Sequence, residues 1–476
     1  MIMERTVFID DQPEYTRAAI VEDGTLCELM LEKKLDDDQT ESIFLGRVQT
    51  IRKSIHAAFV DIGTELNAFL PLDDEHPIRC GELLIVQGAA KQATDTKGLR
   101  VTAKINLPGK WLVLIPGGSG VHVSKKIKDE ALRETLLACG QRICPEGCGL
   151  IIRTVSEDAS EELLRHEAET LCNQWTEMKR RAAGMTRPGV LSQRERLDMR
   201  LVRDLSDLAR VVVNSEAIYH LLIEAQRMQR ISCDTQIELF KENTQLLFDA
   251  YSIEAAIDKA LKKRVWLPCG GYLVFDFCEA MTVIDVNSGK MTMGCDLEET
   301  ALRVNLEAAD EIARQLRLRD IGGIIIVDFI DMRQGANREL LLKQMKEAVK
   351  RDRSQVSIEG ITRLGLLEMT RKRVHTALRK ALRNSCSYCS GSGEVLSGEE
   401  SARRALRQVR RMAASGQRGP FVIRCCAAAA QALAGMKAPD GESVYALSAP
   451  GRHAEKYDIE QVGAGVAVPK DAVALK

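Results

Sequence analysis

The pattern of apolar and polar positions divides the chain into a strand-rich N-terminal part and a central part in which strands and helices follow one another. Residues 43–107 form short alternating segments punctuated by Gly63 and Gly88, a pattern typical of a small β-barrel. Strands are also expected at 111–116 and 149–155, whereas residues 156–262 have mostly helical spacing.

The central part is predicted to contain a β-α-β unit. After a strand-like stretch at 265–277, residues 281–286 and 323–330 have the apolar pattern of buried strands, and a helical segment follows each of them. The first helix carries an apolar stripe formed by Leu302, Leu306, Ala309, Ala313 and Leu316. A strand-helix-strand-helix order without a hairpin signal predicts a parallel sheet. After Gly393 the chain is rich in Ala, Ser and Arg and is less clearly patterned.

The composition limits the classes of protein to which this chain can belong, but it does not by itself identify a function. The 476 residues carry a net charge of −1, so nucleic-acid binding would have to come from local basic patches. The N-terminal sequence lacks the apolar core of a signal peptide, and no apolar run is long enough to span a membrane. With 14 cysteines and no export signal, a cytoplasmic protein with free thiols or metal-bound cysteines is expected.

Two aspartates at strand ends are the main candidates for chemistry. Asp285 and Asn287 share one face of an extended segment, and Asp328 lies in the second apolar strand. If the two strands are neighbours, their carboxylates converge at one edge of the sheet, where two oxygen ligands suit Mg²⁺. The alternative is that Asp285 caps its strand and Asp328 pairs with an arginine. Asp331 is a weaker candidate, either a supporting group or a turn residue.

Cysteines with zinc-knuckle spacing follow the central part. Cys386 and Cys389 form a CxxC surrounded by small residues, which supplies two of the four ligands that a structural zinc needs. Two further ligands must come from elsewhere in the chain or from a second chain; free thiols are the alternative. A second group, Cys139, Cys144 and Cys148, lacks a fourth ligand and is interpreted as structural thiols, and the adjacent Cys425 and Cys426 are interpreted as buried small apolar residues.

Basic residues cluster in two places. The first group lies between Asp328 and the CxxC and consists of Arg363, Arg371, Lys372, Arg373, Arg379, Lys380 and Arg383. Its position favours contact with nucleic-acid phosphates. The second group is interpreted as the solvated face of an amphipathic helix and consists of Arg403, Arg404, Arg407, Arg410 and Arg411.

Several long motifs in the chain resemble those of the ribonuclease E/G family. They are IDVNSGK at 284–290, NLEAADEIARQLRLRDIGGIIIVDFIDM at 305–332, RLGLLEMTRKR at 363–373 and CSYCSGSG at 386–393. Residues 46–71 are similar to the family's embedded S1-type OB fold, and the resemblance covers roughly residues 1–395. The chain has no long C-terminal extension, which is closer to the ribonuclease G branch.

The resemblance implies an α/β multidomain architecture. The implied parts are residues 1–35 with about 199–262 as an RNase H-like subdomain, 36–105 as the OB-fold β-barrel, 106–198 as a 5′-sensor region, 263–383 as a DNase I-like catalytic subdomain, 384–396 as a zinc-link, and 397–476 as a small C-terminal α/β domain.

The resemblance also implies roles for individual residues. Asp285 and Asp328 would bind catalytic Mg²⁺, and Asn287 would orient the scissile phosphate. A sensor for a 5′-monophosphate would consist of Gly109, Val113, Arg153 and Thr154, and RNA contacts would come from Phe59, Phe69 and Lys97 together with Arg363, Arg371 and Arg373. Cys386 and Cys389 would share one Zn²⁺ with a second protomer, giving a dimer or a tetramer.

The expected function is therefore Mg²⁺-dependent hydrolysis of single-stranded RNA, leaving 5′-phosphate and 3′-hydroxyl ends and favouring 5′-monophosphorylated substrates, with roles in rRNA and tRNA processing and mRNA decay. Ser387 and Ser392 depart from the family's zinc-link, and the last 80 or so residues match poorly. A non-catalytic RNA-binding scaffold is the competing hypothesis. A nucleotide-dependent enzyme is disfavoured because no phosphate-binding glycine motif is present.

Overall fold

The computed structural model describes residues 4–34, 39–72, 78–90, 98–157, 159–205, 207–242, 244–289, 297–373, 377–463 and 467–476. The chain forms two compact units, Met1–Ala381 and Leu382–Lys476. None of the helices among these residues is long and apolar enough to cross a membrane.

The first half of the larger unit consists mainly of short strands. In chain order its elements are β1 (Arg5–Asp11), β2 (Tyr15–Glu22), β3 (Thr25–Lys33), β4 (Ile43–Arg52), β5 (Ala57–Asp61), β6 (Ala68–Pro71), β7 (Leu83–Ala90), β8 (Arg100–Thr102), β9 (Leu107–Pro108), β10 (Leu112–Pro116), β11 (Val121–Val123), α1 (Glu130–Ile143), β12 (Cys148–Ile152), α2 (Glu161–Gly184) and β13 (Gly189–Ser192).

The remaining elements alternate between helices and strands. The larger unit continues with α3 (Leu197–Asp204), β14 (Leu208–Val213), α4 (Glu216–Arg227), β15 (Gln236–Leu239), α5 (Leu247–Ala250), α6 (Ile253–Ala260), β16 (Arg264–Trp266), β17 (Tyr272–Phe277), β18 (Met281–Asn287), α7 (Leu297–Leu318), β19 (Gly323–Asp328), α8 (Gly335–Ala348), β20 (Val356–Ile361), β21 (Leu366–Arg371) and α9 (Leu378–Leu382). The smaller unit contains α10 (Gly398–Ala414), β22 (Phe421–Cys425), α11 (Ala427–Ala434), β23 (Val444–Ser448), β24 (Asp458–Gln461) and β25 (Val473–Ala474).

The predicted barrel is present. Strands β4, β5, β6, β8 and β7 pair in that order, and β4 also pairs with β7, so the five strands close on themselves. The interior is filled by side chains such as Phe44, Val60 and Leu70, all at most 2% exposed. Gly46 has to be small, because a Cβ there would lie 2.5 Å from a methyl carbon of Val60. The closed barrel agrees with an OB fold.

The sheet that contains β1, called the first sheet below, joins distant parts of the chain. Its order is β15-β14-β1-β2-β3, and β1 runs parallel to β14. The sheet therefore joins residues 5–33 to residues 208–239, the two segments assigned to one subdomain from the sequence. Residues 156–262 are mostly helical, as expected, and β13, β14 and β15 are short strands between the helices. The RNase H-like assignment stays a prediction.

Strands β9 to β12 form a small sheet of their own, in the order β11-β12-β10-β9. The strands predicted at 111–116 and 149–155 correspond to β10 and β12. Helices α1 and α2 pack on this sheet through apolar residues, among them Leu136, Leu164 and Leu171. This sheet holds the residues that the sequence assigns to a 5′-phosphate sensor.

The central sheet has the order β16-β17-β18-β19-β21-β20. Strands β18 and β19 are parallel and are connected through α7, as predicted. The remaining neighbours are antiparallel, so the expectation of a parallel sheet was wrong outside this pair. The three residues 278–280 between β17 and β18 are too few for a helical crossover and make a hairpin. They include neither Gly nor Pro, so no turn signal marked them.

Helix α7 covers one face of the central sheet and is also tied to the first sheet by a buried ion cluster of Glu22, Glu28 and Arg317, to which the more exposed Arg353 adds a further ion pair. Arg317 donates to both carboxylate oxygens of Glu22, at 2.9 and 3.0 Å, and lies 3.4 Å from Glu28. Arg353 binds Glu28 at 2.5 Å. Burial opposes the ionisation of Glu22, but the hydrogen bonds and charges of Arg317 and, to a smaller extent, Arg5 outweigh it and lower the pKa of Glu22 to about 2.

The smaller unit contains a four-stranded sheet in the order β24-β22-β23-β25, together with α10 and α11. Its core includes Phe421, Val409 and Cys425, which confirms Cys425 as a buried apolar residue. The arginines of the second basic group lie on the exposed face of α10, where several pair with Glu399 and Glu400. This confirms the prediction of a solvated helix face.

Candidate active site

Asp285 and Asp328 end the two parallel strands of the central sheet side by side. In the register of β18 and β19, Asp285 is the direct partner of Asp328. Neighbouring strands lie about 4.8 Å apart, and directly paired residues project to the same face. The two carboxylates, 43 positions apart in sequence, therefore belong to one site.

The pair lies on the open face of the central sheet. Along β18 and β19, successive residues face opposite sides of the sheet. The residues next to the two aspartates, such as Ile284 and Val327, face one side and are fully buried beneath α7 and α8. Strand geometry turns Asp285 and Asp328 to the other side, where both are exposed. The expectation that Asp328 is a charge inside a buried strand was thus wrong in one respect, because only alternate positions of this strand are buried.

Asn287 belongs to the same constellation. Its side chain shares the face of Asp285, and its Nδ2 donates a hydrogen bond to Oδ2 of Asp285 at 2.7 Å. The amide thus holds one carboxylate oxygen in a defined orientation. An amide group has two N–H donors and a carbonyl acceptor, so it can hold Asp285 and contact a further group at once.

The electrostatics of the pair differ from those of a salt bridge. Partial burial of Asp328, followed by the negative charges of Asp285 and Asp331, raises the pKa of the Asp328 carboxyl. Within the described ranges, Asp328 has no arginine partner, contrary to the alternative considered from the sequence. The segment 290–296, which follows Asp285, lies outside the described residues.

The donor set fits Mg²⁺. Two adjacent carboxylates present hard oxygen ligands, and a divalent cation would relieve the like-charge repulsion that raises the pKa of Asp328. The part of the chain that is described contains no cluster of three or more His, Cys, Asp or Glu side chains arranged around a common metal position. Mg²⁺ is commonly held by one or two carboxylates together with water and substrate phosphate, so two ligands are sufficient.

The predicted sensor residues lie together in the small sheet of β9 to β12. Arg153 follows β12, and its Nη1 donates to the carbonyl oxygen of Gly109 at 2.6 Å and to Asp204 at 2.8 Å. Val113 is the second residue of β10, and Thr154 directly follows Arg153. Arg153 is half-buried, and its guanidinium is held between a backbone carbonyl oxygen and a carboxylate.

Glu167 organises this turn and was missed from the sequence. Its carboxylate accepts hydrogen bonds from the backbone N–H groups of Lys110, Trp111 and Leu112, at 2.7, 2.8 and 2.7 Å. A Cβ at Gly109 would lie 2.5 Å from the Glu167 carboxyl carbon, so a larger residue would displace the carboxylate from its three N–H donors. Burial raises the pKa of Glu167, and the three N–H donors partly offset this. On a helix rich in Glu, nothing in the sequence distinguished this one.

On the barrel, Phe59 and Phe69 are neighbours on paired strands. Their ring centroids lie 6.1 Å apart in an edge-to-face arrangement, and Arg52 lies 5.9 Å from the Phe59 ring. Both rings are half-buried, so each keeps exposed surface on which a base can stack. Lys97, the third residue predicted there, lies outside the described residues.

The three arginines predicted to contact RNA have different environments. Arg363 and Arg373 are exposed, and Arg373 donates to a backbone carbonyl oxygen at 3.0 Å. Arg371 is buried and binds Asp352 at 2.7 Å and Asp320 at 2.6 Å. Its assignment to RNA contact is corrected, because its guanidinium is enclosed and already neutralised within the central sheet.

In the CxxC, backbone N–H groups surround the sulfur of Cys389. The backbone N–H of Gly393 donates to the sulfur of Cys389 at 3.3 Å, and this bond, together with one from Gly391, lowers the pKa of Cys389. Gly391 and Gly393 have φ of +90° and +81°, which glycine adopts without strain. A stabilised thiolate is the form that binds zinc.

The other cysteine cluster packs as predicted. Cys139 is buried in the core beneath the small sheet, and Cys144 and Cys148 pack against the same core. Burial raises the pKa of all three thiols. They are thiols rather than thiolates at neutral pH, as structural cysteines are.

Comparison with known proteins assigns the chain to a family. Residues 106–374 match the family model described as "Ribonuclease E/G family". The chain is 35% identical to ribonuclease G of Salmonella typhimurium over 457 residues, 91% of this chain and 93% of that protein. It is 36% identical to ribonuclease G of Haemophilus influenzae over 84% of this chain and 86% of that protein, and 34% identical to ribonuclease E of Escherichia coli over 86% of this chain and 40% of that protein. The chain belongs to the ribonuclease E/G family.

Proposed function

We propose that this protein cleaves single-stranded RNA by hydrolysis, with Asp285 and Asp328 as ligands of a catalytic Mg²⁺ and with products that carry 5′-phosphate and 3′-hydroxyl ends. Membership of the family makes the chain an endoribonuclease. The finer proposal rests on one observation, the side-by-side placement of two exposed carboxylates that no cation in the described ranges neutralises.

The chain's own residues have separate tasks at this site. Asp285 and Asp328 provide the negative charge that retains the cation and sets its position at the sheet edge. Bound Mg²⁺ would supply positive charge to the scissile phosphate and increase the acidity of water. Asn287 keeps Asp285 in place through Nδ2 and has a second N–H with which to orient a phosphate oxygen. The open face leaves room for an extended RNA strand.

We further propose that Arg153, Thr154, Gly109 and Val113 bind a 5′-monophosphate and that Phe59, Phe69 and Lys97, with Arg363 and Arg373, contact the RNA. The contact between Arg153 and Gly109 supports the first assignment, since it groups residues from separate segments at one turn. The aromatic pair on the barrel supports the second. A terminal phosphate would have to compete with Asp204 for the guanidinium of Arg153.

The CxxC is proposed to bind half of a shared zinc site. Cys386 and Cys389 provide two thiolates, and the N–H donors around Cys389 favour the metal-binding form. Two protomers would then complete the four ligands and form a dimer, on which a tetramer could be built. We expect one zinc per two chains by metal analysis of the purified protein, and Cys386→Ser should lower both the zinc content and the mass in solution.

The cellular role is proposed to be processing of rRNA and tRNA and decay of mRNA in the cytoplasm. The thirteen cysteines among the described residues are all free thiols, the state that a reducing compartment maintains.

A cleavage assay tests the central proposal. Asp285→Asn, Asp328→Asn and the unaltered protein are incubated with a 5′-monophosphorylated single-stranded oligonucleotide, with Mg²⁺ or with a chelator. Loss of several kcal/mol of transition-state stabilisation corresponds to a rate loss of roughly a thousandfold or more. Binding of the oligonucleotide should persist, because the phosphate contacts elsewhere remain.

Repeating the assay with 5′-triphosphate and 5′-hydroxyl ends tests the sensor. Arg153→Ala should abolish the discrimination between these ends and the 5′-monophosphate.

Asp276→Asn is the matched control. Asp276 lies on the same open face of the central sheet, but it forms an ion pair with Lys263 at 2.5 Å. Its removal should leave cleavage close to that of the unaltered protein. Full activity in either Asp285→Asn or Asp328→Asn would overturn the assignment, and an unaltered protein that binds RNA without cutting it would favour the scaffold hypothesis.

A further inference from the structure

A group of aromatic and cationic side chains next to the carboxylates is not used by the proposed mechanism. Arg264, Trp266 and Tyr272, called the aromatic platform below, lie on the paired strands β16 and β17. The rings of Trp266 and Tyr272 are 5.2 Å apart, and the Arg264 guanidinium carbon lies 5.7 and 4.4 Å from their centroids. The three side chains thus form one continuous cation–π cluster.

The platform is an exposed surface. Trp266 is 63% exposed, although tryptophan is among the side chains that most favour burial. Tyr272 is half-buried and Arg264 is exposed. The apolar core of the central sheet lies on the other face, so the platform does not serve to hold α7 or α8 in place.

The register of the sheet leads from the platform to the candidate active site. Trp266 pairs with Tyr272, and Tyr272 pairs with Asn287, which is bonded to Asp285. Directly paired residues share a face, so the platform and the carboxylates lie on the same open face. Two strand spacings of about 4.8 Å place Trp266 roughly 10 Å from the strand of Asn287. This is close enough for one extended polynucleotide to reach both.

The chemistry of the platform matches an unstacked nucleobase. Single-stranded nucleic acids bind to proteins by stacking bases on aromatic rings and on arginine guanidinium planes, while nearby cations attract the phosphates. An RNA strand in the candidate active site therefore meets a ring surface and a positive charge beside the scissile phosphate. The acidic residues of the open face repel anions. An anionic partner that cannot stack a base on the platform would therefore bind there less well than single-stranded RNA.

We propose that the aromatic platform stacks a base of the substrate RNA that flanks the scissile phosphate, and that it thereby selects for an unpaired nucleotide at that position. This inference rests on the proposed function of Asp285 and Asp328. Because this contact is made with the base and not with the backbone, we expect kcat/KM for cleavage to depend on whether the flanking base is present.

A mutant cycle between protein and substrate tests the proposal. One RNA oligonucleotide with a single cleavage site is prepared intact and in versions with one abasic nucleotide at successive positions around that site. With intact RNA, Trp266→Ala should lower kcat/KM by roughly 5- to 150-fold, the range that a stacked base provides. With RNA that is abasic at the contacted position, Trp266→Ala should have no effect. Trp266→Phe should restore most of the loss.

Trp175→Ala is the matched control, because Trp175 also lies near a cation, Lys179 at 5.9 Å, but on α2 of the small-sheet region. It should not show the abasic-dependent loss. An equal loss from Trp266→Ala on intact RNA and on every abasic RNA would overturn the stacking proposal, since it would indicate a structural role.

A fluorescence binding experiment distinguishes a failure of this proposal from a failure of the catalytic proposal. In Asp328→Asn, RNA that carries 2-aminopurine at the contacted position should lose fluorescence on binding, and Trp266→Ala should remove that quenching. Quenching by the unaltered protein, if that protein fails to cleave in Mg²⁺, would defeat the catalytic proposal and leave the platform standing. Cleavage by the unaltered protein without Trp266-dependent quenching at any position would defeat the platform alone.

Discussion

The open carboxylate pair and the buried ion cluster are two acidic regions of one unit with opposite electrostatics. At Glu22, burial is outweighed by Arg317, and the pKa falls to about 2. At Asp328, burial acts together with two further negative charges, and the pKa rises. Glu22 is 5% exposed, whereas Asp285 and Asp328 face solvent. The first region has its cation in the chain, whereas among the described residues no lysine or arginine pairs with the second.

This difference separates a structural acidic cluster from a functional one. A buried carboxylate must be paired within the fold, since an unpaired one is too costly to retain. An exposed pair can persist without a partner, but two like charges on adjacent strands reduce stability slightly. The open pair lies at the ends of β18 and β19, where a divalent ion and a phosphate can approach from solvent.

The largest expected effect is on stability at the buried ion cluster. Arg317→Met should lower the free energy of unfolding by about 3–4 kcal/mol, because the buried Glu22 would keep only Arg5 and the buried Glu28 only Arg353 as partners. Urea unfolding followed by circular dichroism measures it. Arg353→Met is the control: this arginine is 36% exposed and binds Glu28 alone, so about 1 kcal/mol or less is expected. Equal losses in the two variants would contradict the account.

A second effect depends on pH. Because the pKa of Glu22 is lowered from 4.5 to about 2, its ion pair contributes fully above pH 4.5 and is lost as the pH falls toward 2. At 1.36 kcal/mol per pKa unit, the loss is about 3 kcal/mol. It is measured as the difference in unfolding free energy between the unaltered protein and Glu22→Gln across this range. A difference that does not change with pH would disprove the pairing.

A smaller effect is expected at Glu167, whose carboxylate is held by backbone N–H groups rather than by an arginine. Gly109→Ala places a Cβ 2.5 Å from that carboxyl and should cost about 1–3 kcal/mol by overpacking. Thermal unfolding measures it, with Gly184→Ala as the control, because no atom lies within 4 Å of a Cβ there. If both variants unfold at the same temperature, Glu167 does not constrain the turn.

The smallest expected effect is on stability at the open carboxylate pair, and it should distinguish this pair from the buried ion cluster most clearly. Asp328→Asn should change stability without metal by no more than about 0.5 kcal/mol, as for an ordinary surface position. Mg²⁺ at ten times its Kd should then stabilise the unaltered protein by about 1.4 kcal/mol and should not stabilise Asp328→Asn. Thermal unfolding with and without Mg²⁺ measures both. Equal stabilisation of the two proteins would place the Mg²⁺ elsewhere.

Patterns that repeat over many residues were predicted well. The alternation in residues 43–107 indicated a barrel, and the apolar runs that became β18 and β19 indicated neighbouring parallel strands, which placed Asp285 beside Asp328. These predictions worked because apolar periodicity reports directly on which face of an element is buried.

Features that depend on tertiary contacts were not predictable. Arg371 and Arg373 are equivalent in the sequence, yet one is buried between two aspartates and the other is exposed. The hairpin of β17 and β18 had no turn residue to mark it, and the platform on β16 and β17 became visible only with the register of the sheet. Glu167 acts through three backbone N–H groups 55 to 57 residues away, and no local pattern encodes such a contact.

The pairing of β1 with β14 has a consequence for synthesis on the ribosome. The edge of β1 that faces β14 has no partner until residues 208–213 have been translated and released. At roughly 5–20 residues per second, the nascent chain must wait about 10–40 s with that edge unpaired, while the barrel encoded in between can already fold. Chaperones that shield exposed strands should therefore associate with this chain early in translation and leave once β14 has emerged.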